Sequence, residues 1–305
     1  MELTTCYLPS AGGGRLFCRL WTPDAEPIAV LQIVHGLSEH SGRYELLAQY
    51  LAEHGFAVAA ADQMGHGRSD GAPGCFTGGW WTAVEDVRRV LWRCRLRWPD
   101  TPLFLLGHSM GSFVVRTLLI DQPALPLTGV LLSGTAQYPR LGTAALGALM
   151  SVNAALRGAQ TSGGAAALTE RLFSMPFLSE HSEASWISSD ARERAAVRQD
   201  PLCSVPPALG LQRDMLRGVA YNERPANLAK MRPTLPILFF SGDRDPVGMM
   251  GRGVLAAAES FRRAGMQQVT VRLYGGARHE TLHEYLRSRV FADVEKWMRE
   301  QMQTE

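Results

Sequence analysis

One short stretch constrains this chain more than any other. Leu103-Phe104-Leu105-Leu106 is an apolar run of strand length, Gly107-His108-Ser109-Met110-Gly111 follows at once, and Phe113 to Ile120 continues as an apolar stretch of helix length. A strand that turns sharply into a helix across two glycines is part of a βαβ unit, so the segment points to α/β architecture. The GxSxG spacing also leaves a serine hydroxyl exposed at the carboxyl end of the strand. The spacing recurs at Gly67-Arg68-Ser69-Asp70-Gly71, but that copy runs into Ala72-Pro73-Gly74, which cannot open a helix. Ser109 is therefore the candidate nucleophile, and Ser69 reads as a loop residue.

The rest of the chain repeats the same alternation. Short apolar runs at Arg15 to Trp21, Ile28 to Val34, Phe56 to Ala61, Val130 to Ser133, Ile237 to Phe240 and Val269 to Tyr274 read as strands. Apolar residues at three- and four-residue spacing over Arg43 to His54, Trp81 to Trp98, Ser109 to Asp121 and Leu282 to Met302 read as helices. Strands alternating with helices predict a mostly parallel sheet covered on both faces. From about Gln137 the alternation lapses into helical stretches broken by small-residue and proline-containing loops, with Thr161 to Ala167 especially rich in small residues. The expected partition is a core over 1–136, a mainly helical cap over 137–213 and the remaining core over 214–305.

Composition excludes several classes. The 31 basic and 29 acidic residues are scattered with no long run of one sign, which argues against a nucleic-acid partner. No apolar run is long enough to span a membrane, and no signal peptide is visible, so a soluble cytoplasmic protein is expected. The five cysteines, Cys6, Cys18, Cys75, Cys94 and Cys203, show no CxxC spacing and read as reduced thiols.

A serine hydroxyl needs a base, and after Ser109 only His181, His279 and His283 remain. On a sheet of this kind the partners follow the nucleophile in the order acid, then histidine, each on a loop after a later strand. His181 lies in the expected cap, whereas His279 directly follows the Val269 to Tyr274 strand and is the candidate base. The acid belongs in Ser241-Gly242-Asp243-Arg244-Asp245-Pro246, where position alone leaves Asp243 and Asp245 open. Backbone amides of Leu37, after the Ile28 to Val34 strand, and Met110, after the nucleophile, are the candidate oxyanion donors. His35 reads as a support for the loop backbone.

Together HGLSEHSGRY at 35–44, DQMGHGRSDG at 62–71, GHSMG at 107–111, SGDRDPVG at 241–248 and YGGARHE at 274–280 resemble the monoacylglycerol lipase, lysophospholipase and serine aminopeptidase branch of the α/β-hydrolases. The resemblance covers nearly the whole chain. It implies the α/β-hydrolase fold, assigns the acid to Asp245, and maps the base to His279 and the oxyanion donors to Leu37 and Met110. The implied chemistry requires no cofactor or metal. Two departures stand out: Ser112 replaces a glycine frequent after GHSMG, and Leu37 replaces a smaller residue.

The function implied is hydrolysis of carboxylic esters with an apolar acyl chain, through an acyl-enzyme, with a lipid-like ester as the small-molecule partner. An aminopeptidase using the same triad would need a carboxylate pair for the substrate ammonium, for which Glu170, Glu180, Glu183 and Asp190 are candidates. A ligand-binding homologue without turnover is a third reading, since fold does not dictate function. The sequence leaves chain length and oligomeric state open.

Overall fold

The computed structural model describes residues 1–162, 164–180 and 184–303; Gly163, His181 and Glu183 lie outside the described residues. Eight strands form one sheet: β1 (Glu2–Pro9), β2 (Arg15–Thr22), β3 (Ala29–Val34), β4 (Phe56–Ala61), β5 (Leu103–His108), β6 (Gly129–Ser133), β7 (Ile237–Gly242) and β8 (Val269–Tyr274). Their order across the sheet is β1-β2-β4-β3-β5-β6-β7-β8, with β1 and β2 antiparallel and the other six mutually parallel.

Among the described residues there are ten α-helices: α1 (Glu45–Glu53), α2 (Trp80–Arg97), α3 (Met110–Asp121), α4 (Arg140–Arg157), α5 (Gly164–Ser174), α6 (Ala191–Gln199), α7 (Leu209–Asn222), α8 (Pro225–Leu228), α9 (Arg252–Arg263) and α10 (Arg287–Met302). Pleating sends successive side chains of β5 to opposite faces. Leu103 and Leu105 pack with Leu91 of α2, Val115 of α3 and Phe261 of α9. Phe104 and Leu106 pack with Leu51 of α1 and Trp297 of α10. Both faces are thus covered, which is why the central strands read as continuous apolar runs. Among the described residues no helix is long and apolar enough to cross a membrane.

Three differences from the sequence pattern are informative. β1 pairs with β2 over its whole length but is exposed almost throughout, so it carries no burial alternation. The helix expected from Leu282 begins at Arg287, because Thr281–His283 form a 3-10 turn whose neighbours Glu280 and Glu284 are turned toward other loops. α9 buries Gly253, Val254, Ala257, Ala258 and Phe261, a stripe in which only Val254 and Phe261 are large.

The inserted segment between β6 and β7 carries α4 to α8. Met150 and Ala154 of α4 pack on Leu209 of α7. At its other end α7 is tied to α3, where the Asn222 amide donates to the Phe113 carbonyl at 2.8 Å and accepts from the Thr117 hydroxyl at 2.8 Å. Arg213, the expected end of the cap, falls inside α7.

Candidate active site

The turn after β5 forces Ser109 into φ 50° and ψ −121°. Such a conformation costs a non-glycine residue on the order of 1–3 kcal/mol and persists only where neighbours hold it. Here the Ser109 amide donates to the Ser133 carbonyl at 2.9 Å, and the Ser112 amide and hydroxyl donate to the Ser109 carbonyl at 2.9 and 2.6 Å. Ser112, the departure from the frequent glycine, therefore braces the turn. The flanking glycines have no such freedom to vary: a Cβ on Gly111 would stand 2.2 Å from the Val34 carbonyl oxygen, and one on Gly107 would stand 2.7 Å from that of Gly111.

The turn aims the half-buried Ser109 hydroxyl across the sheet edge at the loop after β8. His279 Nε2 stands 2.9 Å from Ser109 Oγ, and its Nδ1 stands 3.0 Å from Asp245 Oδ2. Asp245 is fully buried on the loop after β7, where Ser241 Oγ and the Val247 amide also donate to it at 2.8 Å each. Its three donors fix which oxygen faces the imidazole. Asp243 points elsewhere: it lies at the surface and accepts the Gly276 amide at 2.8 Å, a turn contact of the kind aspartate commonly makes. The Ser69 hydroxyl is spent on the Asp62 carbonyl at 2.5 Å and the Phe17 amide at 2.8 Å.

Electrostatics separate His279 from the histidines around it. Burial disfavours its imidazolium, but the Asp245 charge and hydrogen bond outweigh burial and hold its pKa above the ordinary 6.5. Burial also pushes the Asp245 carboxyl up, and the same partnership with His279 brings it below the ordinary carboxylate value. His108, whose ring centroid is 4.9 Å from that of His279, is driven down to about 3 by burial and by His279 itself. His283 is lowered to about 4 by burial and Arg43. One imidazole in this cluster is thus biased toward taking a proton while its neighbours stay neutral.

The loop after β3 lies against the Ser109 side chain, since a Cβ on Gly36 would come within 3.0 Å of Ser109 Cβ. Leu37 follows in that loop, and Met110 is the first residue of α3, where the amide has no acceptor within its own helix. His35 holds the loop: Nδ1 donates to the Gly36 carbonyl at 2.8 Å, and Nε2 accepts the Gln63 amide at 2.8 Å. Glu39 accepts the Gly36 amide and the Tyr44 hydroxyl. Arg43 bridges Glu39 at 3.2 Å and Glu280, beside His279, through contacts of 2.8 and 2.6 Å. These three side chains are at most 9% exposed, and charges so buried persist only when paired this closely.

Sequence reasoning missed the joint between the insertion and the His279 loop. The Trp186 and Ile187 carbonyls accept the amides of His279 and Glu280 at 3.3 and 2.8 Å, and the Trp186 ring centroid lies 5.3 Å from that of His279. Glu284 accepts the amides of Arg278 and Ser189 at 2.8 and 2.9 Å, locking the two segments together. No residue-type signal could have found it, because its contacts to His279 and Glu280 run through main-chain carbonyls.

Of the four carboxylates considered for an ammonium site, Glu183 lies outside the described residues and the other three are engaged elsewhere. Glu170 accepts the Trp186 indole N–H at 2.6 Å and the Ala184 amide at 3.0 Å, Glu180 pairs with Arg278, and Asp190 caps α6 through the Arg192 amide at 2.9 Å.

A family model described as serine aminopeptidase, S33, matches residues 25–285. The chain is 30% identical over 301 residues to the monoglyceride lipase of Mus musculus, covering 96% of this chain and 89% of that protein. It is 30% identical over 291 residues to the monoacylglycerol lipase of Mycolicibacterium smegmatis, covering 94% of each. The chain belongs to the S33 family. Among solved structures, a thermostable carboxyl esterase from Bacillus coagulans in complex with glycerol superposes with a TM-score of 0.86 at 28% identity, covering 98% of each chain. A soluble variant of the Saccharomyces cerevisiae monoglyceride lipase superposes at 0.76 with 19% identity, over 98% of this chain and 95% of that one, and so speaks for the fold. This S33 member is accordingly a carboxylic-ester hydrolase of the α/β-hydrolase fold.

Proposed function

We propose that the protein hydrolyses lipid-like esters with an apolar acyl chain, using Ser109 as nucleophile, His279 as general base and Asp245 as the acid that orients the histidine. The observation that carries this reading is the unbroken line from Ser109 Oγ to His279 Nε2 at 2.9 Å and from His279 Nδ1 to Asp245 at 3.0 Å. In this mechanism Ser109 Oγ attacks the ester carbonyl as His279 takes its proton. The tetrahedral oxyanion accepts the Leu37 and Met110 amides, the alcohol leaves with the proton from His279, and water then cleaves the acyl-enzyme by the same route.

Ester hydrolysis is favoured over aminopeptidase activity because Glu170, Glu180 and Asp190 are held by local donors. A panel of p-nitrophenyl esters and aminoacyl p-nitroanilides tests this, with turnover expected on the esters; preferential cleavage of the anilides overturns it.

A base whose pKa is raised must lose its proton to work. The kcat/KM for a soluble ester should therefore rise with pH along a one-proton limb centred above 6.5, the ordinary histidine value. A limb centred at or below that value would remove the Asp245 coupling from the mechanism.

The insertion over 137–213 is proposed to act as a cap that meets the lipid. Leu149, Val152 and Leu156 recur at three- and four-residue spacing on α4 and are all exposed, Leu156 by 80%. An outward apolar stripe on a helix is suited to an aggregated lipid surface. Replacing the three with serine should lower activity on micellar monoacylglycerol roughly tenfold, as the loss of about 1.4 kcal/mol of interfacial burial would give. Activity on monomeric p-nitrophenyl acetate should stay within about twofold. Equal losses on both substrates would place the stripe's role in folding instead.

A further inference from the structure

We infer that His40, Asp200 and Cys203 form a binding site for a borderline-soft divalent cation, with Zn²⁺ as the fitting ion, at the seam between the Leu37 loop and the insertion. The ligand atoms of the three residues lie within 4.8 Å of one another. They supply one imidazole nitrogen, one carboxylate oxygen and one thiol sulfur, a donor set zinc accepts and magnesium or calcium does not favour. Ligands on a single zinc stand roughly 3.3–3.8 Å apart at ordinary bond lengths. His40 Nε2 and Asp200 Oδ2 are already 2.8 Å apart, so side-chain rotation of about 1 Å completes the set.

The surroundings suit a metal in two further ways. Asp200 Oδ1 accepts the Leu202 amide at 2.8 Å, which fixes the carboxylate with Oδ2 turned toward His40. The Asp200 side chain is 31% exposed and that of His40 10%, so an ion can enter from solvent and finish against a buried ring. The site was invisible to spacing rules because its ligands come from segments 160 residues apart.

Coordination has a definite proton balance. With the Gly42 amide donating to His40 Nδ1 at 3.2 Å, the ring proton sits on Nε2 and is donated to Asp200. Zn²⁺ takes the Nε2 lone pair, so that proton moves to Nδ1 and the long Gly42 contact is given up. The Cys203 thiol binds as thiolate and loses its proton to solvent. One proton is released per ion, and affinity rises with pH.

The test uses the whole protein, with Cd²⁺ followed by its ultraviolet thiolate charge-transfer band and Zn²⁺ by competition against a chromophoric chelator. One equivalent of Zn²⁺ should bind per chain, with one proton released in calorimetry across buffers of different ionisation enthalpy. Cys203→Ser should abolish the band and weaken Zn²⁺ at least about a hundredfold, since even outer-shell changes cost ten- to a hundredfold. Asp200→Asn should weaken it tenfold or more, while Cys6→Ser, which alters an exposed thiol on β1, should bind as wild type. Absence of stoichiometric binding to the wild type, or binding that survives Cys203→Ser, overturns the assignment.

Discussion

Ser109→Ala is expected to lower kcat on ester substrates by on the order of a million-fold, the loss seen when the nucleophile is removed from a comparable triad. The residue left behind would still sit in the strained turn, because the bonds that hold it run through its amide to Ser133 and its carbonyl to Ser112. Folding should therefore survive while chemistry does not. A fluorophosphonate should label wild-type protein at Ser109 alone, as peptide mapping by mass spectrometry would report, since Ser69 is bonded to Asp62 and Phe17 with no imidazole at its hydroxyl. Labelling at Ser69, or full labelling of Ser109→Ala, would remove Ser109 from the mechanism.

The second large effect is expected at Asp245. Asparagine in its place presents an amide where His279 Nδ1 now finds a carboxylate at 3.0 Å, so the imidazole loses the partner that fixes its tautomer and stabilises its charge. In a comparable triad that exchange lowers kcat by about ten-thousand-fold with geometry intact. Asp243→Asn should be mild, because Asp243 accepts one amide from Gly276 on an exposed turn. That contact is worth about 1 kcal/mol of stability. The comparison is made with both variants shown to fold by circular dichroism; a dead Asp243→Asn beside an active Asp245→Asn would reverse the assignment of the acid.

The contrast between these two aspartates marks how far the sequence could be read. Ser109 was legible because strand, turn, serine and helix are contiguous, and Gly107 and Gly111 are demanded by backbone contacts made within that unit and with β3. His279 was legible because it follows its strand directly. Asp243 and Asp245 share one turn and one side-chain type, so burial alone distinguishes them, and burial is decided by β8 and its loop far along the chain. Likeness to known hydrolases made the choice that residue chemistry had left even. α9 escaped notice because glycine and alanine fill most of its buried stripe, and β1 because an exposed edge strand needs no apolar alternation. The Trp186 and Ile187 contacts to His279 and Glu280 escaped for another reason: they link carbonyls and amides 93 residues apart in sequence, and main-chain groups leave no mark in residue type.

That last property has a consequence for how such proteins diverge. The two main-chain bonds of that joint do not depend on which side chains hang from Trp186 and Ile187, so substitutions in the insertion that spare Ser189, the partner of Glu284, can accumulate with those bonds to the imidazole loop kept. Selection can then work on the helices of the insertion almost as if they were a separate gene, with the Ser109–His279–Asp245 line beneath them left undisturbed.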